Sequence, residues 1–119
     1  MSGKTLEELA EAVANIRRSN LSEAKSFAKP PQMMLDTLTA TMLLLGEVNP
    51  TWDTIKYNMT RGDGKGLTNL VVEYDPSEVS DATKTKAKDL LSKHTLQDLR
   101  KCSVFTAIVF EWAVAAVDA

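Results

Sequence analysis

Two adjacent prolines divide the first half of the chain into two segments that both have helical apolar spacing. The segment before Pro30 and Pro31 is amphipathic, whereas residues 32–45 are apolar on more than one face. A proline keeps the residue before it out of the α-helical region, and a proline is well tolerated where a helix starts. The pair therefore predicts a corner, at which one helix ends and a second, more deeply packed helix begins in its first turn with Pro31.

The size and composition of the chain are those of a single globular domain. It has 119 residues, of which 44% are hydrophobic and 25% are charged, and its formal net charge is −2. This balance argues against a general nucleic-acid-binding protein, because such proteins are usually basic. The most apolar run, 102–117, contains Glu111 and is short for a membrane span, so we expect a buried helix and no membrane partner.

The first helical segment begins with a capping-box pattern, in which Thr5 caps the helix and Glu8 reaches back. Its first apolar residues have the 3-4-3 spacing of a coiled coil, but after Ile16 the spacing shifts by one position. Such a shift rotates the buried stripe around the helix, or it is the imperfect pattern of an ordinary amphipathic helix. The apolar residues are Leu6, Leu9, Val13, Ile16, Leu21, Ala24 and Ala28.

The rest of the chain predicts further helices and no convincing sheet. Gly46 is expected to end the second helix in a left-handed conformation. Residues 67–74 could form a strand or a short buried helix, and we favour a helix or irregular structure because no second strand is available to pair with them. Cap-and-proline or cap-and-acid patterns mark three more helix starts, at Asn49-Pro50, Asp75-Pro76 and Thr95 with Asp98.

No combination of residues has the chemistry of a catalytic or metal site. His94 is the only histidine, and near a helix C-terminus its positive form would complement the helix dipole. Cys102 is the only cysteine, which excludes an internal disulfide and favours a small buried apolar role. The loop 61–66 lacks the ending of a phosphate-binding loop. We therefore expect no catalysis and no cofactor in this chain.

Charged residues are segregated along the second half of the chain. Residues 73–81 include four acids and no base, whereas residues 84–101 include six bases and two acids. Two interpretations stay open. The basic run is either a solvated face with internal ion pairs, such as Asp81 with Lys84 or Lys88, or a patch that attracts an acidic partner.

Four stretches, in this order and spacing, resemble the stalk-tip microtubule-binding domain of dynein heavy chains. They are SFAKPPQMMLDTLTATMLLLGE, TWDTIK, VVEYDPSEVSDATKTKAK and CSVFTAIVFEWAVAAV, and the resemblance covers about residues 21–117. It implies an all-α fold, a small helical bundle of five to six helices at the tip of a truncated antiparallel coiled-coil stalk. The implied parts are the outgoing stalk helix at 1–29, the globular domain at 30–111 and the start of the return helix at 112–119.

The resemblance also implies that the chain binds microtubules with an affinity coupled to the register of the stalk. The implied partners are α/β-tubulin and the remainder of the heavy chain, in which ATP hydrolysis would take place. Its tubulin-facing residues would come from the helix after the prolines, the loop after the tryptophan-containing helix, and the start of the last helix. They are Gln32, Leu35, Thr39, Arg61, Lys65, Gln97, Arg100 and Lys101, with a secondary basic patch at Lys84, Lys86 and Lys88 and a hinge at Pro30 and Pro31.

Several of these positions depart from the cytoplasmic dynein pattern. Lys101 stands in place of an arginine, which keeps the charge but loses bidentate geometry. Leu35 replaces a lysine, and Thr39 and Gln97 each replace a glutamate, so the net effect on affinity stays open. The expected location is the cytoskeleton of the cytoplasm, and the slightly long loop 61–66 favours an axonemal heavy chain of a cilium or flagellum. A helical adaptor that binds an acidic or amphipathic helical peptide is the alternative function.

Overall fold

The computed structural model describes residues 5–61, 64 and 66–119, and these residues form helices and no strand. The all-α fold class is therefore confirmed. The helices lie in one body of 33 × 32 × 26 Å. They are α1 (Leu6–Ala14), α2 (Arg18–Lys25), α3 (Gln32–Leu44), α4 (Trp52–Met59), α5 (Leu67–Val72), α6 (Asp81–Leu91), α7 (Leu96–Cys102) and α8 (Val104–Val117), with a 3-10 turn at Pro76–Glu78.

The core is organised around α8, against which α1, α3, α6 and α7 pack. Phe105, Val109 and Trp112 on this helix are fully buried. A helix that is apolar on nearly all sides is stable only when other elements cover it. None of the helices within the described ranges is long and apolar enough to cross a membrane.

Helix α3 is nearly as deeply buried, although its sequence contains polar residues. Nine of its thirteen residues are buried. The hydroxyl groups of Thr37 and Thr41 donate hydrogen bonds of 2.8 Å to the carbonyl oxygens of Met33 and Thr37, one turn earlier. Buried hydroxyls cost free energy unless they are bonded, so these backbone acceptors allow α3 to enter the core.

The described residues form eight α-helices rather than the five or six predicted, because two predicted helices are divided. Ser103 has an extended backbone, and its side chain accepts a hydrogen bond from the Thr106 amide, so it caps α8. The predicted last helix is thereby split into α7 and α8. Thr95 caps α7 as the sequence predicted.

The first predicted helix is divided at residues 15–17. Asn15 ends α1, and Arg17 is extended with ψ of 142° before α2 begins. The shift in apolar spacing after Ile16 coincides with this break. Helix α2 then ends at Lys25, several residues before the prolines. The division into a stalk segment at 1–29, a globular domain and a return helix stays a prediction.

The helix caps follow the sequence pattern at some ends and not at others. The capping box of Thr5 and Glu8 is present, with both hydrogen bonds at 3.1 Å. At α4 the cap is Thr51 and not Asn49, because the Thr51 hydroxyl is the group that reaches the Thr54 amide. Asp75 caps only the 3-10 turn, and α6 begins later, after Ser80.

Gly46 has φ of +104°, the left-handed conformation predicted for the end of α3. The amide of Glu47 bonds the carbonyl of Met42, and the amide of Gly46 bonds that of Leu43, which is the Schellman pattern. We expect Gly46→Ala to lower the free energy of unfolding by about 1 kcal/mol, because a Cβ strains this backbone conformation although space is available.

Urea unfolding measures this loss. Gly46→Asn should cost less than Gly46→Ala, since asparagine tolerates the left-handed region better. Val48→Ala is the control, because Val48 is exposed two residues later. Equal stability of the Gly46→Ala variant and the wild type would contradict the strain.

Candidate functional site

The corner predicted at the two prolines is held in place by α4. The indole Nε1 of Trp52 donates a hydrogen bond of 2.8 Å to the carbonyl oxygen of Phe27. Pro31 has φ of −55° and ψ of 152°, so it is the N-cap of α3 and not its first helical residue as predicted. Its carbonyl oxygen accepts hydrogen bonds from the amides of Met34 and Leu35. Because Pro31 has no N–H, it leaves no backbone donor without a partner at this junction.

Helix α7 lies beside this corner. A cavity of about 390 Å³ separates the two, and Pro31 and Lys101 both line it. Helices α3 and α7 also contact each other directly. The structure therefore brings the predicted hinge next to two of the three predicted groups of binding residues. The full lining is Phe27, Pro31, Met33, Asp98, Lys101 and Cys102.

The predicted residues on these two helices differ in exposure. Leu35 and Thr39 on α3 are half-buried. The guanidinium of Arg100 lies 3.5 Å from the carboxylate of Glu111 on α8, which is within ion-pair distance and at the limit for a hydrogen bond. Gln32, Gln97, Arg100 and Lys101 are exposed.

Arg61 lies on a different element, just after the C-terminal end of α4. Its Nη1 donates a hydrogen bond of 3.1 Å to Asn58 Oδ1, and its guanidinium lies 5.1 Å from the centre of the Tyr57 ring. Stacking on an aromatic face fixes the direction of an arginine. Lys65, the other predicted residue of this group, lies outside the described residues.

The predicted secondary basic patch is on α6, where it faces the end of α8. Lys84 Nζ donates to the carbonyl oxygen of Ala119 at 3.1 Å, and Lys88 Nζ lies 3.3 Å from Asp118 Oδ1. Lys86 is exposed. Exposed pairs of this kind contribute little to stability. Internal pairing accounts for part of the basic run, with Asp118 in place of the partner Asp81 that we predicted.

A short chain of hydrogen bonds links α3 to the turn before α7. Asp36 Oδ1 accepts from Gln32 Nε2 at 2.6 Å, and Asp36 Oδ2 lies 2.7 Å from His94 Nε2. The side chains of Asp36 and His94 are largely buried, with 11% of Asp36 and 16% of His94 exposed. The interpretation of His94 as a helix-dipole cation missed this partner. The sequence did contain one indication of this contact. Asp36 is a carboxylate within an apolar helix, and such a group requires a hydrogen-bonding partner.

The described part of the chain holds no cluster of three or more metal-ligating side chains. The hydrogen-bonded side chains of Gln32, Asp36 and His94 instead join α3 to the turn before α7. Around the proline corner, α3 and α7 have an exposed polar and basic surface. The largely buried contact between Asp36 and His94 connects α3 to the residue before the cap of α7.

Comparison with known proteins gives relatives among dynein heavy chains. The chain is 25% identical over 112 residues to "Cytoplasmic dynein 2 heavy chain 1" of Chlamydomonas reinhardtii and 23% identical over 111 residues to the protein of that name from Homo sapiens. It is 26% identical over 110 residues to "Dynein heavy chain, cytoplasmic" of Drosophila melanogaster. These alignments cover 90% or 91% of this chain and 2% of each relative. No family model matches the chain.

The resemblance to dynein heavy chains is thereby confirmed. The chain is similar, over about nine-tenths of its length, to a short segment of these much longer proteins. The names of these three relatives are those of cytoplasmic dyneins. The assignment to an axonemal heavy chain stays a prediction.

Cys102 provides a chemical test of the corner geometry. Burial raises the pKa of its thiol, so at neutral pH a smaller fraction is thiolate than in a free cysteine. We expect iodoacetamide to alkylate Cys102 more slowly in the folded protein than in urea, with the folded rate rising at higher pH. Mass spectrometry measures the rate, and one cysteine makes the assignment unambiguous. Equal rates in the two states would show that the thiol is open to solvent.

Proposed function

We propose that this chain binds microtubules, as the stalk tip of a dynein heavy chain. The observation that carries the proposal is the juxtaposition of α3 and α7 at the proline corner. Sequence resemblance assigned tubulin-facing residues to both helices independently of any structure, and the two helices share one side of the fold. The similarity to dynein heavy chains over about nine-tenths of the chain supports the same function.

The charges on α7 suit an acidic track. Lys101 is exposed at the rim of the corner cavity, and Arg100 is exposed one residue earlier. Basic side chains at the rim of an interface accelerate encounter with an acidic surface and make binding sensitive to salt. Gln97 adds a neutral donor and acceptor on the same helix, where a glutamate would repel the track.

The wider role follows from the parent protein. Nucleotide hydrolysis would take place in the remainder of the heavy chain, because this chain spans only 2% of its relatives. The outgoing stalk would reach the corner through α2, and the return stalk would continue from α8. Sliding of the two stalk helices would then change tubulin affinity by moving the proline corner. Such a protein would act in the cytoplasm on the cytoskeleton, including that of cilia.

Co-sedimentation tests the function directly. The fragment should pellet with microtubules, and binding should fall steeply as salt rises, because exposed charges are screened over about 8 Å at physiological ionic strength. Circular dichroism confirms that the protein is folded in the same buffer. A folded fragment that stays in the supernatant at low salt would overturn the proposal and leave the adaptor function as the better one.

Charge reversal ranks the residues. Lys101→Glu and Arg61→Glu should each weaken binding by about tenfold or more, because each replaces attraction with repulsion. Lys86→Glu is the matched control on α6, since Lys86 is also an exposed lysine, and Lys93→Glu is a second one. Both controls should have smaller effects. Equal losses from all four substitutions would indicate diffuse attraction rather than a docked site.

Coupling to the stalk is tested by crosslinking. The test uses a longer version of the chain, in which both stalk helices are extended and Cys102 is replaced by serine. Introduced cysteine pairs lock the two helices in one register or the other. We expect the two crosslinked forms to bind microtubules with different affinities. The reason is that each register would place α2, and with it the corner, differently against α3. Affinity is measured for each crosslinked form and after reduction. Identical affinities in both registers would remove the coupling but not the binding function.

A further inference from the structure

We infer that Gln32, Asp36 and His94 form a positioning clamp that sets the α3–α7 binding surface, and that Gln32 acts through Asp36 and does not contact the partner. This inference rests on the proposed function for its effect on affinity. The clamp itself is a property of the folded chain.

The position of His94 allows the clamp to fix where α7 begins. Its backbone amide bonds the carbonyl oxygen of Leu91 at the end of α6, and the next residue, Thr95, is the N-cap of α7. The imidazole therefore lies at the junction where α7 begins. Binding this side chain to Asp36 fixes the start of α7 relative to α3, although the two residues are 58 positions apart.

Both oxygens of Asp36 have a donor. We assign the hydrogen of the 2.7 Å contact to His94 Nε2, because a carboxylate only accepts. Gln32 supplies the second donor from one turn earlier on the same helix. In a largely buried site these bonds are strong, and loss of one donor leaves an oxygen without compensation.

The clamp changes the role of Gln32. The residue is exposed, and sequence resemblance grouped it with the tubulin contacts, but its side-chain amide is engaged with Asp36. Gln97 is an exposed glutamine on α7 and provides a matched comparison. If Gln32 works through Asp36, its replacement has no further effect once Asp36 is gone. If it contacts the partner directly, its effect is independent of Asp36.

The experiment is a double-mutant cycle on microtubule affinity, using the fragment with microtubules as the probe. Gln32→Ala is expected to weaken binding several-fold and Asp36→Ala about tenfold. Gln32→Ala should add nothing in the Asp36→Ala background, whereas Gln97→Ala should weaken binding by the same factor in both backgrounds. Additive losses from Gln32 and Asp36 would overturn the assigned role of Gln32. Urea unfolding of each variant corrects for any unfolded fraction, and Asp36→Leu, which also removes both acceptor oxygens, replaces Asp36→Ala if the latter does not fold.

A second measurement is independent of tubulin. Amide hydrogen exchange reports the first turn of α7, including the Leu99 amide that bonds Thr95. Asp36→Ala and His94→Ala should accelerate exchange there, and His94→Gln should restore protection because it retains a side-chain N–H donor. Unchanged exchange in Asp36→Ala would overturn the clamp. Accelerated exchange with unchanged affinity would overturn its role in binding, and absence of binding by the wild type would overturn the proposed function while leaving the clamp.

Discussion

Burial of α8 is the constraint on which the other helices depend. The ring of Trp112 lies in the middle of this helix, fully buried, and meets Tyr74 edge-on with ring centres 5.1 Å apart. Ala113 and Ala116 are small enough for neighbouring helices to approach closely. Since α1, α3, α6 and α7 are all needed to cover α8, their inner faces are committed to the core. Only their outer faces and junctions remain for recognition, and the proline corner is one such junction.

The basic run in the second half of the chain divides into parts with different surroundings. Lys84 and Lys88 make exposed contacts with residues that follow α8, and Lys88 pairs there with Asp118. Lys101 lies at the rim of the corner cavity instead. The sequence shows the segregation of charge, but only the packing of α6 against α8 distinguishes a lysine that is paired within the chain from one that lies at the corner. Net charge is therefore a poor guide to this surface.

The elements that could be predicted are those set by local physics. Gly46 ends α3 because a left-handed position requires glycine, and Thr95 begins α7 because its hydroxyl satisfies the first amides. The break at Ser103 also has a local cause, because the Ser103 side chain caps α8. The apolar residues on both sides of Ser103 nevertheless favoured the prediction of one continuous helix. The partner of Asp36 could not be predicted, because no local pattern relates it to His94. The resemblance assigned site residues to α3 and α7, and the fold places these two helices in contact, whereas nothing local relates Arg61 to them.

The hydrogen bonds around the corner join different pairs of elements. Helix α2 and the segment that follows it bond to the two ends of α4, because the Lys25 ammonium donates to the Thr60 hydroxyl and the Trp52 indole donates to the Phe27 carbonyl. Helix α3 is tied instead to the start of α7 through Asp36 and His94. Helix α2 also contacts α8, and α3 also contacts α4, so packing connects the elements on the two sides of the corner. The two prolines lie between α2 and α3, where their fixed φ and the restriction on the residue before each of them limit the backbone conformations open to the corner.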